Sequence, residues 1–286
     1  MTQGADPQAT RPHSFLGRYG PWAVVTGASD GIGRAAATEL AGQGVGVVLV
    51  ARRAAALEDL ARSLEADHGV ATRVLALDLS SPDQAERVER DTRDLDVGLL
   101  FAAAGFGTSG PFVEADVGPE LNMIDVNCRA LVLSTHGFAK RFVARGRGGV
   151  VLMSSLVAFQ GVPRAAAYAA TKAFVQTFAE GLARELKPLG VDVLASAPGP
   201  VMSGFGARAG MAIGSGQTPE AVARATLRAL GRQTTVRPGL LAKGLEASLA
   251  PLPRSFRVLA LERVMAGFTR APSKPADRLG RQGGAA

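Results

Sequence analysis

The sequence has one cysteine, few aromatic side chains and no long hydrophobic run, and these features limit the classes of protein to which it can belong. Cys128 is the only cysteine in 286 residues, so no intramolecular disulfide can form. Since its surroundings are apolar and lack metal-ligand spacing, we interpret it as a buried structural thiol and expect no metal. No apolar run reaches the roughly 18 residues that a membrane span needs.

Residues 1–18 are polar, contain Pro7 and Pro12, and lack the apolar core of a secretory signal. We therefore expect a cytoplasmic protein. Aromatic residues make up only 5% of the chain and hydrophobic residues 47%, which predicts a core of alanine, valine and leucine. The net charge of +7 comes from arginines that are scattered along the chain. Such a distribution favours a solvated surface with an anion site, and we expect no nucleic-acid partner, although an arginine surface that binds nucleic acid is an alternative.

Short apolar runs alternate with helical patterns six times, which predicts an α/β fold. The predicted strands are residues 22–26, 45–50, 74–77, 97–103, 149–154 and 191–196, with a seventh at 234–237. Continuous apolar strands are typical of a parallel sheet that is covered on both faces. We therefore predict a Rossmann-type doubly wound parallel sheet of about seven strands, with helices on both faces and a C-terminal helical appendage.

The domain organisation follows from the same pattern. We predict a flexible leader over residues 1–18, a single catalytic domain over 19–238, and a disordered tail over 271–286. The hydrophobic, proline-interrupted segment 239–270 is expected to pack as helices on the domain or on a subunit partner. Covering a pocket and resting on a membrane surface are the other options for this segment, whose charges argue against a span.

A glycine-rich turn follows the first strand and opens the first helix. Gly27, Gly31 and Gly33 stand where a dinucleotide-binding turn belongs, with Ser29 and Asp30 between them. The helix N-terminus that follows offers N–H groups to phosphate oxygens. The position of the turn therefore predicts nucleotide binding.

The end of the second strand bears on the choice of cofactor. An NAD site has an acidic residue about 20 positions after the glycines, but here Ala51 is followed by Arg52 and Arg53. Two guanidiniums suit a 2′-phosphate, which favours NADP(H) over NAD(H). The alternative is a pair of surface arginines at the start of a helix. Asp78, after the third strand, is a candidate for an adenine contact or for a helix N-cap.

Tyr168 and Lys172 are four residues apart in a segment rich in helix formers, so they share one helix face. A neighbouring ammonium is expected to lower the pKa of a tyrosine, which prepares it for proton transfer. A tyrosine at the core edge beside a solvated lysine is an equal alternative for this pair taken alone.

With these motifs in order, the sequence resembles the short-chain dehydrogenase/reductase family over residues 22–237. The family's Thr-Gly-x-x-x-Gly-x-Gly matches residues 26–33, and its Tyr-x-x-x-Lys matches Tyr168 and Lys172. Its serine lies 13 residues before the tyrosine, which selects Ser155 over Ser154, and its helix asparagine matches Asn127. The usual Asn-Asn-Ala-Gly is Ala102-Ala103-Ala104-Gly105 here, and we expect this loss of amides to reduce local rigidity.

The resemblance implies a role for each matched residue. Tyr168 is the general acid or base, Lys172 lowers its pKa and binds the nicotinamide ribose, Ser155 polarises the carbonyl, and Asn127 helps hold a relay water. The implied cofactor contacts are Gly27, Ser29, Asp30, Gly31, Ile32, Gly33, Arg52, Arg53, Asp78, Leu79, Ala104, Gly105, Asn127, Tyr168, Lys172, Pro198, Gly199, Val201 and Ser203.

The segment 200–216 follows the sixth strand and combines glycines with Phe205 and Met211, which predicts a substrate lid with an apolar lining. A merely flexible loop is the alternative. With Ser155, these two residues are the predicted substrate contacts. We expect an NADPH-preferring oxidoreductase, a homodimer or homotetramer, that interconverts a hydrophobic ketone or aldehyde and its alcohol. A cofactor-binding regulatory protein without turnover is the alternative function.

Overall fold

The computed structural model describes residues 14–212, 214–239, 244, 248 and 251–268. Seven parallel strands form one sheet in the order β3-β2-β1-β4-β5-β6-β7. The strands are β1 Trp22–Thr26, β2 Gly46–Ala51, β3 Thr72–Ala76, β4 Val97–Ala102, β5 Gly148–Met153, β6 Val191–Ser196 and β7 Thr235–Val236. The order reverses direction between β1 and β4, which is the point where a doubly wound sheet opens a crevice at its carboxyl edge. The predicted fold class is confirmed.

Ten helices surround the sheet in the described part of the chain. They are α1 Phe15–Tyr19, α2 Gly31–Ala41, α3 Ala54–His68, α4 Pro82–Arg90, α5 Val117–Ile124, α6 Leu131–Arg145, α7 Ala166–Leu186, α8 Phe205–Arg208, α9 Pro219–Ala229 and α10 Arg254–Phe268. Local sequence sets several of their ends. Prolines open α4 and α9, and left-handed glycines end α3 and α6.

Side chains alternate between the two faces of the sheet, and helices bury both faces. In β1, Val25 packs with the helices α2, α3 and α9, whereas Val24 packs with α4, α6 and α7. Because both faces are covered, β4, β5 and β6 are buried along their whole length. This explains why the strands are continuous apolar runs rather than alternating ones.

A third apolar cluster lies at the carboxyl edge of the sheet. It joins Tyr168 on α7, Met123 on α5, and Leu261 and Met265 on α10. The part of the predicted appendage that the structure describes therefore packs against the domain next to the tyrosine. The rest of segment 239–270 and the predicted tail lie mainly outside the described residues. No helix among the described residues combines the length and apolar character needed to cross a membrane.

One predicted boundary differs from the structure. The predicted leader reaches residue 18, but α1 is helical from Phe15, because Tyr19 is buried and anchors it. The Tyr19 hydroxyl donates to the buried Asp192 carboxylate over 2.7 Å, and Arg18 pairs with the same group at 2.6 Å. Residues 1–13 lie outside the described part. The helical region after β4 is also interrupted: α5 and α6 are joined by a π-helical turn, Asp125–Ala130.

Candidate active site

The glycine-rich turn packs against the end of β4 and has no room for side chains at two positions. Gly27 has a φ of 70°, and a Cβ there would lie 2.8 Å from the Ala104 backbone nitrogen. A Cβ on Gly33 would collide with the backbone oxygen of Gly27. Asp30 caps α2 by accepting a 2.7 Å hydrogen bond from the Gly31 nitrogen. The turn is a bare backbone cradle at the start of an 11-residue helix, which is the geometry that receives a pyrophosphate.

Arg52 and Arg53 follow β2 and lie at the same edge as the cradle. Both are exposed, and both line the cavity. Arg53 donates from Nη2 to the backbone oxygen of Ser29 at 3.1 Å and to its hydroxyl at 3.2 Å. Asp78 lines the cavity and accepts bonds from the Ser80 nitrogen and hydroxyl. It does not cap a helix, because α4 begins after Ser81.

The π-helical turn presents Asn127 to the chain that leaves β4. Asn127 is almost fully buried, and its Nδ2 donates to the Phe106 carbonyl at 2.9 Å while its Oδ1 accepts from the Phe106 nitrogen at 3.1 Å. A third bond joins Nδ2 to the Thr171 hydroxyl. The Asn127 amide thus holds the Gly105–Phe106 backbone in place. All three of these bonds go to protein groups, and the role of Asn127 in holding a relay water stays a prediction.

Gly105 has a steric role beside this clamp. A Cβ at this position would lie 2.9 Å from Asn127 Oδ1 and 3.4 Å from Lys172 Nζ. The residue therefore leaves space for both side chains. The segment before it, which lacks the expected asparagines, is tied to β1 by a 3.1 Å bond from the Ala104 nitrogen to the Thr26 hydroxyl. Two anchors, at Thr26 and Asn127, therefore support this wall of the cleft.

Tyr168 and Lys172 lie one turn apart on α7, and Ser155 faces them from the loop after β5. The side chains of Tyr168 and Ser155 are hydrogen-bonded. Lys172 Nζ lies 5.9 Å from the centre of the Tyr168 ring and donates to the Met153 carbonyl at 2.8 Å. Both α7 side chains are buried at the floor of the cavity. A phenol, a hydroxyl and an ammonium therefore meet at one point of the sheet edge.

Burial governs the protonation of this group. It raises the pKa of Tyr168 to about 12, and the bond from Ser155 opposes the rise only in part. Burial also lowers the pKa of Lys172 to about 8. The pKa of Tyr168 is thus raised, opposite to the direction expected from Lys172, because desolvation of the phenolate is the largest cause and only Ser155 opposes it. Burial likewise raises the pKa of the Cys128 thiol, in keeping with the structural role predicted for it.

One cavity of about 1020 Å³ connects these parts. This volume lies at the upper end of the roughly 300–1,000 Å³ that small-molecule sites occupy, which suits a cleft that holds a cofactor and a substrate together. The predicted site residues that line it are Gly27, Ser29, Asp30, Gly31, Ile32, Gly33, Arg52, Arg53, Asp78, Leu79, Ala104, Gly105, Ser155, Tyr168, Lys172, Pro198, Gly199, Val201, Ser203, Phe205 and Met211. Asn127 is not among the lining residues; it supports the wall through Phe106.

The far end of the cavity is apolar. Phe205 lies 5.4 Å from the Tyr168 ring, between centroids, and Met211 packs with the same cluster. Sequence reasoning missed Leu261 and Met265 of α10, which complete this wall. Their spacing of four residues is an apolar helical signal, but the proline-interrupted segment around it left the position of the helix open. Arg208 on α8 forms an ion pair with Asp30 at 3.2 Å, so the segment predicted to be a lid also contacts the glycine-rich turn.

Comparison with known proteins identifies the family. The short chain dehydrogenase family model matches residues 21–211, two thirds of the chain. The chain belongs to the short-chain dehydrogenase family. It is an NAD(P)-dependent oxidoreductase, as its relatives are named dehydrogenases and reductases.

Three members of the short-chain dehydrogenase family illustrate the similarity. The 7beta-hydroxysteroid dehydrogenase of Clostridium sardiniense is 39% identical over 181 residues, 63% of this chain and 69% of that protein. A very-long-chain 3-oxoacyl-CoA reductase of Pyricularia oryzae is 37% identical over 185 residues, and the match spans 63% of this chain but only 56% of the reductase. A short-chain dehydrogenase from Sphingobium yanoikuyae, solved in complex with NADPH, superposes with a TM-score of 0.75 at 31% identity, covering 90% of this chain and 99% of that one.

The low pKa of Lys172 gives a testable pH dependence. Between pH 8 and 10 the folded state has released the Lys172 proton while the unfolded chain still binds it, so stability gains with pH. We expect the free energy of unfolding of the wild type, relative to Lys172→Met, to rise by up to about 1.4 kcal/mol per pH unit in this window. Urea unfolding at several pH values measures it, with Lys140→Met on the surface as the control substitution. A difference that stays flat from pH 8 to 10 would contradict the assignment.

Proposed function

We propose that the protein is an NADPH-preferring oxidoreductase that interconverts a bulky hydrophobic ketone or aldehyde and its alcohol. The observation that carries the proposal is the hydrogen-bonded pair of Tyr168 and Ser155, which lies where the apolar end of the cavity meets the part lined by the glycine-rich turn. A substrate oxygen at this point is within reach of both hydroxyls. NADPH supplies the hydride when bound.

Each side chain has a defined task in this proposal. Tyr168 donates its proton to the substrate oxygen in reduction and recovers one in oxidation. Ser155 donates a hydrogen bond to the same oxygen and stabilises the negative charge that develops there. Lys172, fixed through Met153, supplies positive charge beside the tyrosine and a donor for the nicotinamide ribose. The raised pKa of Tyr168 keeps its proton in place at neutral pH, so the form that can donate a proton in reduction is the one present.

The hydrophobic character of the substrate is supported by the wall of Phe205, Met211, Leu261 and Met265. It is also in keeping with relatives whose names specify hydroxysteroids and very-long-chain 3-oxoacyl-CoA. The alternative, a regulatory protein that binds the cofactor without turnover, draws only on the missing asparagines at Ala102 and Ala103. The bonds from Ala104 to Thr26 and from Phe106 to Asn127 weigh against it, since they support this wall without those amides.

Removal of one hydroxyl tests the catalytic role. Tyr168→Phe keeps the ring that packs on Phe205 but loses the proton donor. We expect turnover of a ketone to fall by a factor of roughly 100 to 10,000, while NADPH binding, followed by cofactor fluorescence, is retained. Tyr19→Phe is the matched control, because the other tyrosine precedes β1 and lies outside the cavity. Turnover that survives in Tyr168→Phe, or a wild type inert toward a broad carbonyl panel, would favour the regulatory alternative.

The preference for NADPH follows from Arg52 and Arg53. Both residues follow β2 directly and line the cavity, and residues 51–53 contain no carboxylate that could accept from a ribose 2′-hydroxyl. Arg53 is already oriented toward the glycine-rich turn by its bonds to Ser29. Two such groups would hold a 2′-phosphate through charge-assisted bonds, and NADH would lack that partner.

The double variant Arg52→Ala/Arg53→Ala separates the two cofactors. We expect the Kd of NADPH to rise on the order of 100-fold and that of NADH to change by less than about 3-fold, because only the 2′-phosphate bonds are lost. Fluorescence titration with each cofactor measures this. Arg62→Ala/Arg87→Ala removes the same charge from exposed positions outside the cavity and serves as the control. Equal losses for NADPH and NADH would refute the 2′-phosphate assignment.

Self-association into a homodimer or homotetramer is supported by an apolar surface formed by α5, α7 and the turn before α5. Its exposed members are Phe112, Val113, Val117, Leu121, Ile124 and Phe174. We expect light scattering to give a dimer or tetramer, and the double variant Val117→Asp/Leu121→Asp to give a smaller species, since charges there oppose burial. Leu189→Asp, at an exposed leucine elsewhere, is the control. A wild type that is monomeric at micromolar concentration would contradict the proposal.

A further inference from the structure

We propose that Arg208, in the segment predicted to be a lid, belongs to the cofactor site. It neutralises the carboxylate of Asp30, so that the glycine-rich turn can bind the pyrophosphate of either nicotinamide cofactor. The sequence motifs that indicate the site do not include Arg208. The inference rests on the cofactor half of the proposed function and does not depend on which carbonyl compound is the substrate.

Asp30 puts a negative charge where the phosphates of the cofactor are expected. It is the one acidic residue in the turn 26–33, and its Oδ1 accepts a 2.7 Å hydrogen bond from the Gly31 nitrogen at the start of α2. A carboxylate stabilises a helix N-terminus, but the same positive end of the helix also attracts a phosphate. The carboxylate and the pyrophosphate therefore repel each other unless a cation lies beside them.

Arg208 supplies this cation. Its Nη2 lies 3.2 Å from Asp30 Oδ2, so the two oxygens of the carboxylate have separate partners, the guanidinium and the Gly31 nitrogen. Arg208 and Asp30 both line the cavity. As a pair they add no net charge to the turn, whereas Asp30 alone would add one negative charge.

Close packing between the turn and the chain before α8 makes the ion pair possible. A Cβ on Gly204 would lie 2.6 Å from Asp30 Oδ2, and a Cβ on Gly31 would lie 3.1 Å from the Ser203 Cβ. The Arg208 nitrogen donates to the Gly204 carbonyl at 3.2 Å, one helical turn further on. Glycine at positions 31 and 204 thus lets the two segments approach closely enough for Arg208 to meet Asp30.

The same helix also contacts the candidate general acid. Phe205, at the start of α8, lies 5.4 Å from the Tyr168 ring, between centroids. A change at Arg208 can therefore act on the site through the charge of the turn or through the position of α8. These two routes predict opposite results for Asp30→Asn, which removes the charge but keeps a side chain that caps helices well.

The test measures the Kd of NADPH and of NADH by fluorescence titration in about 0.1 M salt. Arg208→Gln leaves the charge of Asp30 uncompensated, and we expect the Kd of both cofactors to rise about 5- to 10-fold. Asp30→Asn should lower both Kd values by a similar factor, and the double variant should bind close to the wild type. If Arg208→Gln does not fold, Asp30→Asn alone retains the test.

Two further readouts identify the effect as electrostatic and as common to both cofactors. Since both cofactors contain the pyrophosphate, the ratio of their Kd values should stay constant in these variants, unlike in Arg52→Ala/Arg53→Ala. The ion pair is partly exposed, so every change should shrink when the salt is raised to about 0.5 M.

A second ion pair on α2 provides the matched control. Arg224 pairs with Glu39 at 3.3 Å, and Glu39 follows Gly31 by eight residues, about 12 Å along the helix axis. Neither is among the described residues that line the cavity. Arg224→Gln and Glu39→Gln should each leave both Kd values within about 2-fold of the wild type, because salt screens charges at this distance.

Three results would overturn the inference. If Asp30→Asn weakens binding as Arg208→Gln does, the ion pair acts by holding α8 in place. If the double variant binds as weakly as Arg208→Gln, the guanidinium acts on the cofactor itself. If Arg208→Gln leaves both Kd values unchanged, or the wild type binds neither cofactor, Arg208 has no part in the site. Failure of the proposed function differs from all three, since no carbonyl compound is then turned over while the opposite shifts in Kd persist.

Discussion

The paired hydrogen bonds between the Asn127 amide and the Phe106 backbone are the constraint on which the rest of the site depends. They fix the chain where it leaves β4, and β4 adjoins β1, so they also set the wall that faces the glycine-rich turn. The π-helical turn makes this possible, because it delivers a buried side chain from the middle of a long helical region. Gly105 has to be small for the same reason, since Asn127 and Lys172 occupy the space beside it.

Desolvation is the second determinant of the site. Tyr168 and Lys172 are buried together, and burial disfavours the charged form of each. It raises the pKa of the Tyr168 phenol to about 12 and lowers the pKa of the Lys172 ammonium to about 8. The lysine is thus held near its own titration point, while the tyrosine retains its proton. A substrate oxygen that enters this environment meets donors with little competition from water, which strengthens each bond it accepts.

Most of the fold, and the meeting of the candidate site residues at one edge of the sheet, could be predicted from sequence. Continuous apolar strands indicated a sheet covered on both faces. The motifs that contain Gly27, Ser155, Tyr168 and Lys172 lie at one edge of the sheet, because the carboxyl ends of parallel strands meet there. The π-helical turn could not be predicted, since one extra residue in a helix leaves no clear periodic signal. The direction of the shift in the Tyr168 pKa was missed because it depends on how deeply the side chain is buried. The places of Leu261 and Met265 in the cavity were missed because they depend on how α10 packs against the domain.

Helix α10 lines the cavity from a part of the sequence that lies outside the family match. The family model ends at residue 211, whereas α10 lies at Arg254–Phe268 and contributes Leu261 and Met265 to the apolar cluster that includes Tyr168. Part of the apolar wall of the cavity is therefore encoded outside the stretch that carries Ser155, Tyr168 and Lys172, although Phe205 and Met211 of the same wall lie within it. Substitutions at Leu261 or Met265 would change the shape of this wall without altering the stretch of sequence that carries Ser155, Tyr168 and Lys172. Such an arrangement lets specificity diverge, in evolution or by engineering, at low cost to the chemical step.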